Sequence, residues 1–366
     1  MPPLAGSWKG RDPTMTYTVF GESHGTAIGV VLSDVPPGIE LDMKQISFEL
    51  ARRATGKNAL STTRKEADIP EILSGVFGGK TTGTPLCAII RNTDQHSKDY
   101  AGTKDLPRPG HADFSGFVRY QGYNDYRGGG HFSGRLTAPL VFAGAVAKQI
   151  LRQKGISVGA HIRQITDIME GSFLNADLSS ELFDEIAAKD FPVMDNACGE
   201  AMQAAILSAR EAQDSVGGAV ECAILGLPAG IGAPDLDCNV EGCIARHLFA
   251  VPAVKGISFG IGRACVTMRG SEYNDPFYMD DGIVRTRTNH NGGINGGITN
   301  GMPIVFEAAM RPTPSISRPQ QTVDLVQGVD AELEIVGRHD PCVVHRAVPV
   351  IEAAAALAVC ELLEGV

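Results

Sequence analysis

The twelve residues from Leu136 to Ala147, LTAPLVFAGAVA, carry one hydroxyl and no charge. Wound as a helix, they place apolar groups on every side, so no face is left for water and other elements must surround it. Arg135 and Lys148 bracket the run, which is too short to cross a bilayer. A helix over residues 135–152 would be about 27 Å long at about 1.5 Å per residue, enough to traverse a domain. A second run, residues 348–364, is apolar on nearly every side from Val350 to Leu357. The two helices are expected to pair in the core.

Residues 108–137 lead into the first run: RPGHADFSGFVRYQGYNDYRGGGHFSGRLT. Arg108, Arg119, Arg127 and Arg135, with His111 and His131, are spread among nine glycines and serines. Gly128, Gly129 and Gly130 permit a sharp turn and close approach to a ligand. Backbone amides at the start of the following helix can face an anion, and guanidinium groups match phosphate and carboxylate oxygens. Composition alone also permits a solvated loop, but this density of arginine favours an anion site. The whole chain, 366 residues with a net charge of −10, is unevenly charged. Residues 155–284 hold 7 Lys and Arg against 19 Asp and Glu, a net of −12, whereas the remainder holds 25 against 23, a net of +2. An acidic protein with a local arginine island argues against nucleic-acid binding and suits a small polyanion drawn into a focused site. The eight cysteines show no CxxC spacing and, with no signal peptide, are expected to be reduced thiols in a cytoplasmic protein. His339, Asp340, Cys342 and His345 could be imagined around zinc, but no second cluster has ligand spacing and no metal is expected.

Taken in order, residues 1–14 are expected to be loose, and the whole of 1–366 to form a single domain. TYTVF, residues 16–20, alternates as a strand. Gly21 to Gly25 then make a tight polar turn in which Ser23 and His24 can meet a ligand. Asp42 is a plausible N-cap for a helix over 43–54, with Ile46, Leu50 and Ala54 on one face. Arg52 and Arg53 at its end suit either a structural role against the helix dipole or an anion. Strands are expected near 72–77, 85–90, 158–165 and 218–225, and helices near 179–189, 197–213 and 238–250. VPAVKG, residues 251–256, reads as a strand entry. Residues 289–301, with five glycines and four asparagines, read as a loop; such exposed amides also suit a flavin phosphate or ring. Periodicity permits either an α+β or an α/β fold. No G-x-G-x-x-G follows a strand and opens a helix, which disfavours a Rossmann dehydrogenase.

RPGHAD (Arg108–Asp113), followed by DYRGGG (Asp125–Gly130) and Ser133-Gly134-Arg135, is similar to the central motif of the chorismate synthase family. FGESHG (Phe20–Gly25) resembles that family's opening motif and GRHDPC (Gly337–Cys342) its closing one. NHNGGINGGITNG (Asn289–Gly301) and RPTPSI (Arg311–Ile316) fall between them in the family's order. The resemblance runs from about residue 20 to residue 355. It implies an α+β fold, with central helices sandwiched between two antiparallel β-sheets and four copies per assembly.

The implied activity is that of a lyase of aromatic amino acid biosynthesis. It eliminates phosphate from 5-enolpyruvylshikimate 3-phosphate in a 1,4-anti sense to give chorismate, and it requires reduced FMN without net redox change. The resemblance makes His24, His111, Asp340 and Ser133 the catalytic candidates. His24 would act at the leaving phosphate, His111 beside the anionic reduced flavin, and Asp340 with Ser133 on a proton at the flavin. Ser23, His24, Arg53, Arg135 and Arg338 become candidates for the substrate. His131, Phe132, Ser133, Pro252, Ala253, Gly296, Arg311, Pro312, Thr313, Pro314, Ser315 and Arg338 become candidates for FMN. Several positions depart from the family's pattern: Thr55 precedes Gly56, Ala59 stands where a second arginine is usual, His131 where the bacterial branch often has Arg, and Arg311 where Lys is usual. An NADPH-dependent form that reduces its own flavin would need cations for the 2′-phosphate. Only Arg52 to Lys65 offers them, with Arg53 as the contact, so a separate flavin reductase is expected instead. A non-catalytic flavin or phosphometabolite binder is the competing reading, which has no need of the trio His24, His111 and Asp340.

Overall fold

A computed structural model describes residues 15–56, 60–61, 66–93, 104–236, 238–335 and 339–364. Its helices are α1 (Met43–Arg53), α2 (Asp113–Arg119), α3 (Thr137–Gln153), α4 (Ser180–Ala187), α5 (Asn196–Glu211), α6 (Val240–Phe249), α7 (Gly270–Tyr273) and α8 (Val344–Glu364).

The apolar run forms the centre of α3, buried at every position from Thr137 to Lys148. A 3-10 turn at Gly134–Leu136 precedes it, and the Ser133 hydroxyl accepts the Arg135 amide at 3.3 Å. α3 packs along α8, as its lack of a polar face requires. At their crossing, a Cβ on Gly144 would stand 2.2 Å from Ala353 Cβ and 2.3 Å from its Cα. Glycine in a helix costs about 1 kcal/mol relative to Ala, yet here it lets the two backbones approach.

Two antiparallel sheets enclose this pair. The first runs in the order Thr16–Gly21, Ala27–Ser33, Leu86–Arg91, Pro70–Ser74, with Val19 opposite Val30 and Val30 opposite Ala88. The second runs Val254–Phe259, Ile304–Met310, Gly218–Leu225, Ser157–Ile165, Ile168–Met169, with Ala223 between Val305 and Gly159. α3 lies on the first sheet and α8 on the second, with α1 and α6 beside them. The second sheet is covered on its far side as well: Phe173, Phe183 and Ile186 pack on Ala223 and Val305. This is the α+β sandwich, and the α/β alternative falls because no parallel pairing occurs among the described strands.

Three expectations change in detail. The last helix begins at Val344, four residues before 348. Pro349 is suited to a first turn, but the Val343 carbonyl already accepts the amides of Arg346 and Ala347 at 3.1 and 3.0 Å. The glycine-rich stretch 289–301 is not all loop: Ile294–Asn295 and Ile298–Thr299 pair as a small hairpin. Amides expected to face a ligand are taken internally, since the Asp275 carboxylate accepts those of His290 and Asn291 at 2.8 and 3.0 Å. Lys148, read as an outer bracket, is buried. It donates to Glu49 at 2.9 Å and pairs with Glu352, which also accepts Arg52 at 2.6 Å. Arg52 therefore belongs to a buried charge network between α1, α3 and α8. The expectations for residues 1–14, Ala59, Arg64, Lys65 and Arg338 lie outside the described residues.

Candidate functional site

A cavity of about 270 Å³ opens where the first sheet's leading turn, the glycine-arginine stretch and the start of α8 meet. The strand Thr16–Gly21 delivers His24 to its wall. Gly128, Gly129 and Gly130 have φ values of +59°, +86° and +53°, which glycine adopts without a Cβ penalty. A Cβ on Gly128 would sit 2.1 Å from the His24 ring. The close approach made by these glycines is thus to the chain's own first turn. Ser23 is fully buried behind His24: its hydroxyl lies 3.2 Å from His24 Nδ1 and 3.2 Å from the Gly128 carbonyl, and its amide donates to the Gly130 carbonyl.

Arg53, from the end of α1, and Arg135, from the turn before α3, converge on the buried carboxylate of Asp68. Arg53 donates to it at 2.6 Å and Arg135 binds its other oxygen. Arg53 also reaches the Thr137 hydroxyl at 3.0 Å and the Gly134 carbonyl at 3.1 Å. Arg135 reaches Asn92 at 3.1 Å and lies 3.5 Å from Glu66. Burial raises the Asp68 carboxyl, but the two guanidiniums outweigh it and hold the group below the usual carboxylate range. Burial pulls the Arg135 guanidinium below its ordinary value. Both cations border the cavity.

Also on the lining, Arg108 donates to Asp113 at 2.7 and 2.8 Å and to the Ser315 hydroxyl at 3.1 Å. His111 Nδ1 lies 2.6 Å from the same Asp113. Burial lowers the His111 imidazole below its usual value, helped by Arg108 and opposed by Asp113. Asp340 accepts from Arg346 at 2.6 Å, and Arg346 donates to the Arg53 carbonyl at 3.0 Å. Phe132, Val251, Pro252, Met310 and Val350 supply apolar surface. Ala253 joins them with φ +74°, a conformation that costs a non-glycine residue about 1 kcal/mol or more and clusters at ligand sites.

Three side-chain atoms of cavity-lining residues are buried without a partner among the described residues: Thr55 Oγ1, Thr313 Oγ1 and His339 Nε2. An unsatisfied buried polar atom costs roughly 1–3 kcal/mol, so their shared location marks points where a polar ligand would be held. Cations, orphaned polar atoms and an apolar wall together suit a multiply anionic ligand beside a flat apolar one.

Of the candidates read from sequence, the cavity unites His24, Arg53, His111, Phe132, Ser133, Arg135, Pro252, Ala253, Arg311, Thr313, Pro314, Ser315 and Asp340. Elsewhere lie Ser23, as above, and His131, which is exposed with Nδ1 2.9 Å from the Gly21 carbonyl. Gly296 lies in the exposed turn of the small hairpin, and the Pro312 carbonyl accepts from Arg311 at 2.9 Å without bordering the cavity. Sequence reading assigned no substrate or cofactor role to Arg108, Glu66, Thr55 or Arg346, and weighed His339 only for zinc. Arg108 stood within the arginine island; the others are joined only by folding. At the residues of the zinc reading, burial pushes the Cys342 thiol up to about 12 and lowers the His345 imidazole to about 4. Among the described residues, a cysteine, histidine and carboxylate within ligating distance of one another occur only at Cys243, His247 and Glu361. There Arg246 pairs with the carboxylate, and Tyr17 lies 3.3 Å from the imidazole Nδ1.

A family model described as chorismate synthase matches residues 15–363. The chain is 46% identical over 354 residues to the chorismate synthase of Thermococcus kodakarensis, covering 96% of this chain and 97% of that one. It is 47% identical over 344 residues to that of Methanocella arvoryzae, covering 93% and 90%. A solved structure titled "Crystal Structure of Chorismate Synthase" superposes with a TM-score of 0.75 at 28% identity, covering 96% of this chain and 92% of that one.

Proposed function

Since the chain belongs to the chorismate synthase family, lyases of the shikimate pathway, we propose that its cavity holds 5-enolpyruvylshikimate 3-phosphate beside reduced FMN and eliminates phosphate in the 1,4-anti sense. The observation that carries this reading is the buried pair Arg53 and Arg135, preset on Asp68 and bordering one cavity with three orphaned polar atoms. A substrate with two carboxylates and a phosphate needs such fixed cations. Reduced FMN, when bound, supplies the electronic chemistry of C–H and C–O cleavage without net redox change.

The protein's own groups orient and protonate. His24, braced by the Ser23 hydroxyl, places a proton where the leaving phosphate gains charge. Arg53 and Arg135 hold the substrate's anionic groups. Asp340, gripped by Arg346, and Ser133 would handle a proton at the flavin, while Arg311, Thr313 and Ser315 suit the FMN phosphate. His111 offers a proton to the anionic reduced cofactor. Photoreduced FMN, protein and substrate under anaerobic conditions should yield chorismate, followed by absorbance. No product with the folded protein would leave only a binding role. His111→Ala should lower turnover at least about tenfold, or about 1.4 kcal/mol of barrier, and unchanged turnover at saturating reduced FMN would remove it from the mechanism.

A separate reductase is proposed as the electron source. Arg53 borders the cavity proposed for the substrate, and a cation committed there is not free for an NADPH 2′-phosphate. Sustained chorismate formation from oxidised FMN and NADPH alone would reverse this assignment. A cytoplasmic homotetramer is proposed as the working form. The eight free cysteines suit a reducing compartment, and the exposed Phe277, Met279, Ile283 and Val284 on one hairpin suit cover by another copy. No described helix is long and apolar enough to cross a membrane. Light scattering at four times the chain mass is the expected result.

A further inference from the structure

Asp113 opens α2 and faces His111 two residues before it. Its Oδ1 lies 2.6 Å from His111 Nδ1 and accepts Arg108 Nη2 at 2.8 Å, while Oδ2 accepts Arg108 Nε at 2.7 Å and the Arg108 amide at 3.0 Å. Burial alone would raise this carboxyl, but Arg108 and His111 hold it far below the usual range, so it is ionised. An ionised carboxylate only accepts, so the ring nitrogen beside it must carry the hydrogen. Arg108 Nη2 lies 3.0 Å from Nδ1 and 3.3 Å from Nε2. A guanidinium only donates, and Nδ1 is already committed, which leaves the lone pair on Nε2. Arg108 is itself tied to Ser315 at 3.1 Å, so the carboxylate cannot swing away without breaking the wall of the cavity. On the Nε2 edge the ring meets the glycine run, where a Cβ on Gly129 would stand 3.1 Å from Cε1 and Nε2.

We propose that Asp113 is a positioning residue that locks His111 in the Nδ1–H tautomer, so that Nε2, on giving up its 3.3 Å contact with Arg108, is the atom through which His111 takes up and delivers its proton at the bound cofactor. The proposal rests on the reading of this cavity as the chorismate synthase site, with His111 at the flavin. It explains why this imidazole meets an aspartate that is gripped by an arginine, which a serine holds in turn. In triads of this form the carboxylate serves orientation and tautomer and is not itself protonated. The charged groups facing His111 are Asp113 and Arg108, with Arg311 further off. Only Asp113 favours the imidazolium, so its removal must move the titration of His111 to lower pH. An anionic cofactor in the cavity would move it the other way.

The test reads the ring nitrogens directly. Long-range proton–nitrogen spectra of the flavin-free protein with labelled histidine, assigned through His111→Gln, should show hydrogen on Nδ1 and a lone pair on Nε2 above the titration midpoint. A parent protein with hydrogen on Nε2 overturns the proposal, whatever any variant does. In Asp113→Asn the midpoint should fall and the Nε2–H form should appear. With substrate and reduced FMN, kcat should drop at least about tenfold with KM little changed, and Asp113→Glu should recover part of both signals. An unchanged midpoint and kcat in folded Asp113→Asn would reduce Asp113 to a helix-end contact. Absence of turnover in the parent would instead count against the chorismate synthase reading, leaving the tautomer result standing.

Discussion

Asp68 shows how a single residue sets the electrostatics of the site. Its side chain is fully buried between Arg53 and Arg135, and its own φ is +49°. Two guanidiniums brought this close would repel without it, and both would lose their aim at the cavity. Breaking a buried ion pair by removing one partner costs about 3–5 kcal/mol. Asp68→Asn should therefore lower unfolding stability by that order in urea titrations and weaken substrate binding. A variant with parental stability would mean that Glu66, 3.5 Å from Arg135, carries the countercharge. The sign of the pH effect follows from the depressed carboxyl. The stabilisation is present above the ordinary carboxylate pKa and is lost as pH falls through the lowered value.

At the scale of elements, the α3–α8 pair combines close packing with buried charge. Gly144→Ala would place a methyl 2.2 Å from Ala353 Cβ, and neither backbone can yield without moving a helix. Overpacking of this kind typically costs about 1–3 kcal/mol, whereas helix propensity alone would favour Ala by about 1 kcal/mol. The clash is with backbone as well as side chain, so a net loss of stability is expected; a gain on thermal unfolding would show that the helices separate easily. Glu49 tests the charge network beside them. Burial raises its carboxyl, but Lys148 and Arg52 override this and bring it down to about 2. Against an unfolded value near about 4.3, Glu49 stabilises the fold on the order of 3 kcal/mol at neutral pH, an amount lost as pH falls from about 4.3 towards about 2. Glu49→Gln should lose stability at pH 7 and flatten the acid limb of a stability–pH curve. A curve parallel to the parent's would place the acid sensitivity elsewhere.

Across the whole molecule the charge is segregated. Residues 155–284, net −12, build most of the second sheet and its outer helices α4 and α5. The cavity draws nearly all its lining from the rest of the chain, with Val251 to Ala253 as the exception. The proposed substrate, with two carboxylates and a phosphate, is thus repelled by the body and attracted by the site. The nearby cations act within the screening length of about 8–10 Å at ordinary salt, the acidic surface mostly beyond it. Raising salt from roughly 20 to roughly 300 mM should therefore lower kcat/KM several-fold, as steering weakens, and leave kcat nearly unchanged. A kcat/KM that rises with salt would show that the acidic body dominates the approach.

The local patterns of the chain carry much of this protein. Leu136 to Ala147 dictated a helix with no exposed face, Asp42 its capped neighbour, where the carboxylate accepts the Lys44 and Gln45 amides at 2.8 and 3.2 Å, and the ordered motifs the family. These rest on interactions spanning a few residues, which spacing records directly. Spacing does not record which distant groups neutralise one another. Lys148 became a buried ion-pair partner, Asp275 took the amides of the glycine-rich stretch, and Arg346 reached Asp340 on one side and the Arg53 carbonyl on the other. Thr55, Thr313 and His339 line one cavity with unpartnered atoms although up to 284 positions separate them. Local hydrophobic period and turn chemistry fixed the elements; only the packing of α3 and α8 between two sheets decided which charges meet, because a buried charge is defined by what surrounds it in space.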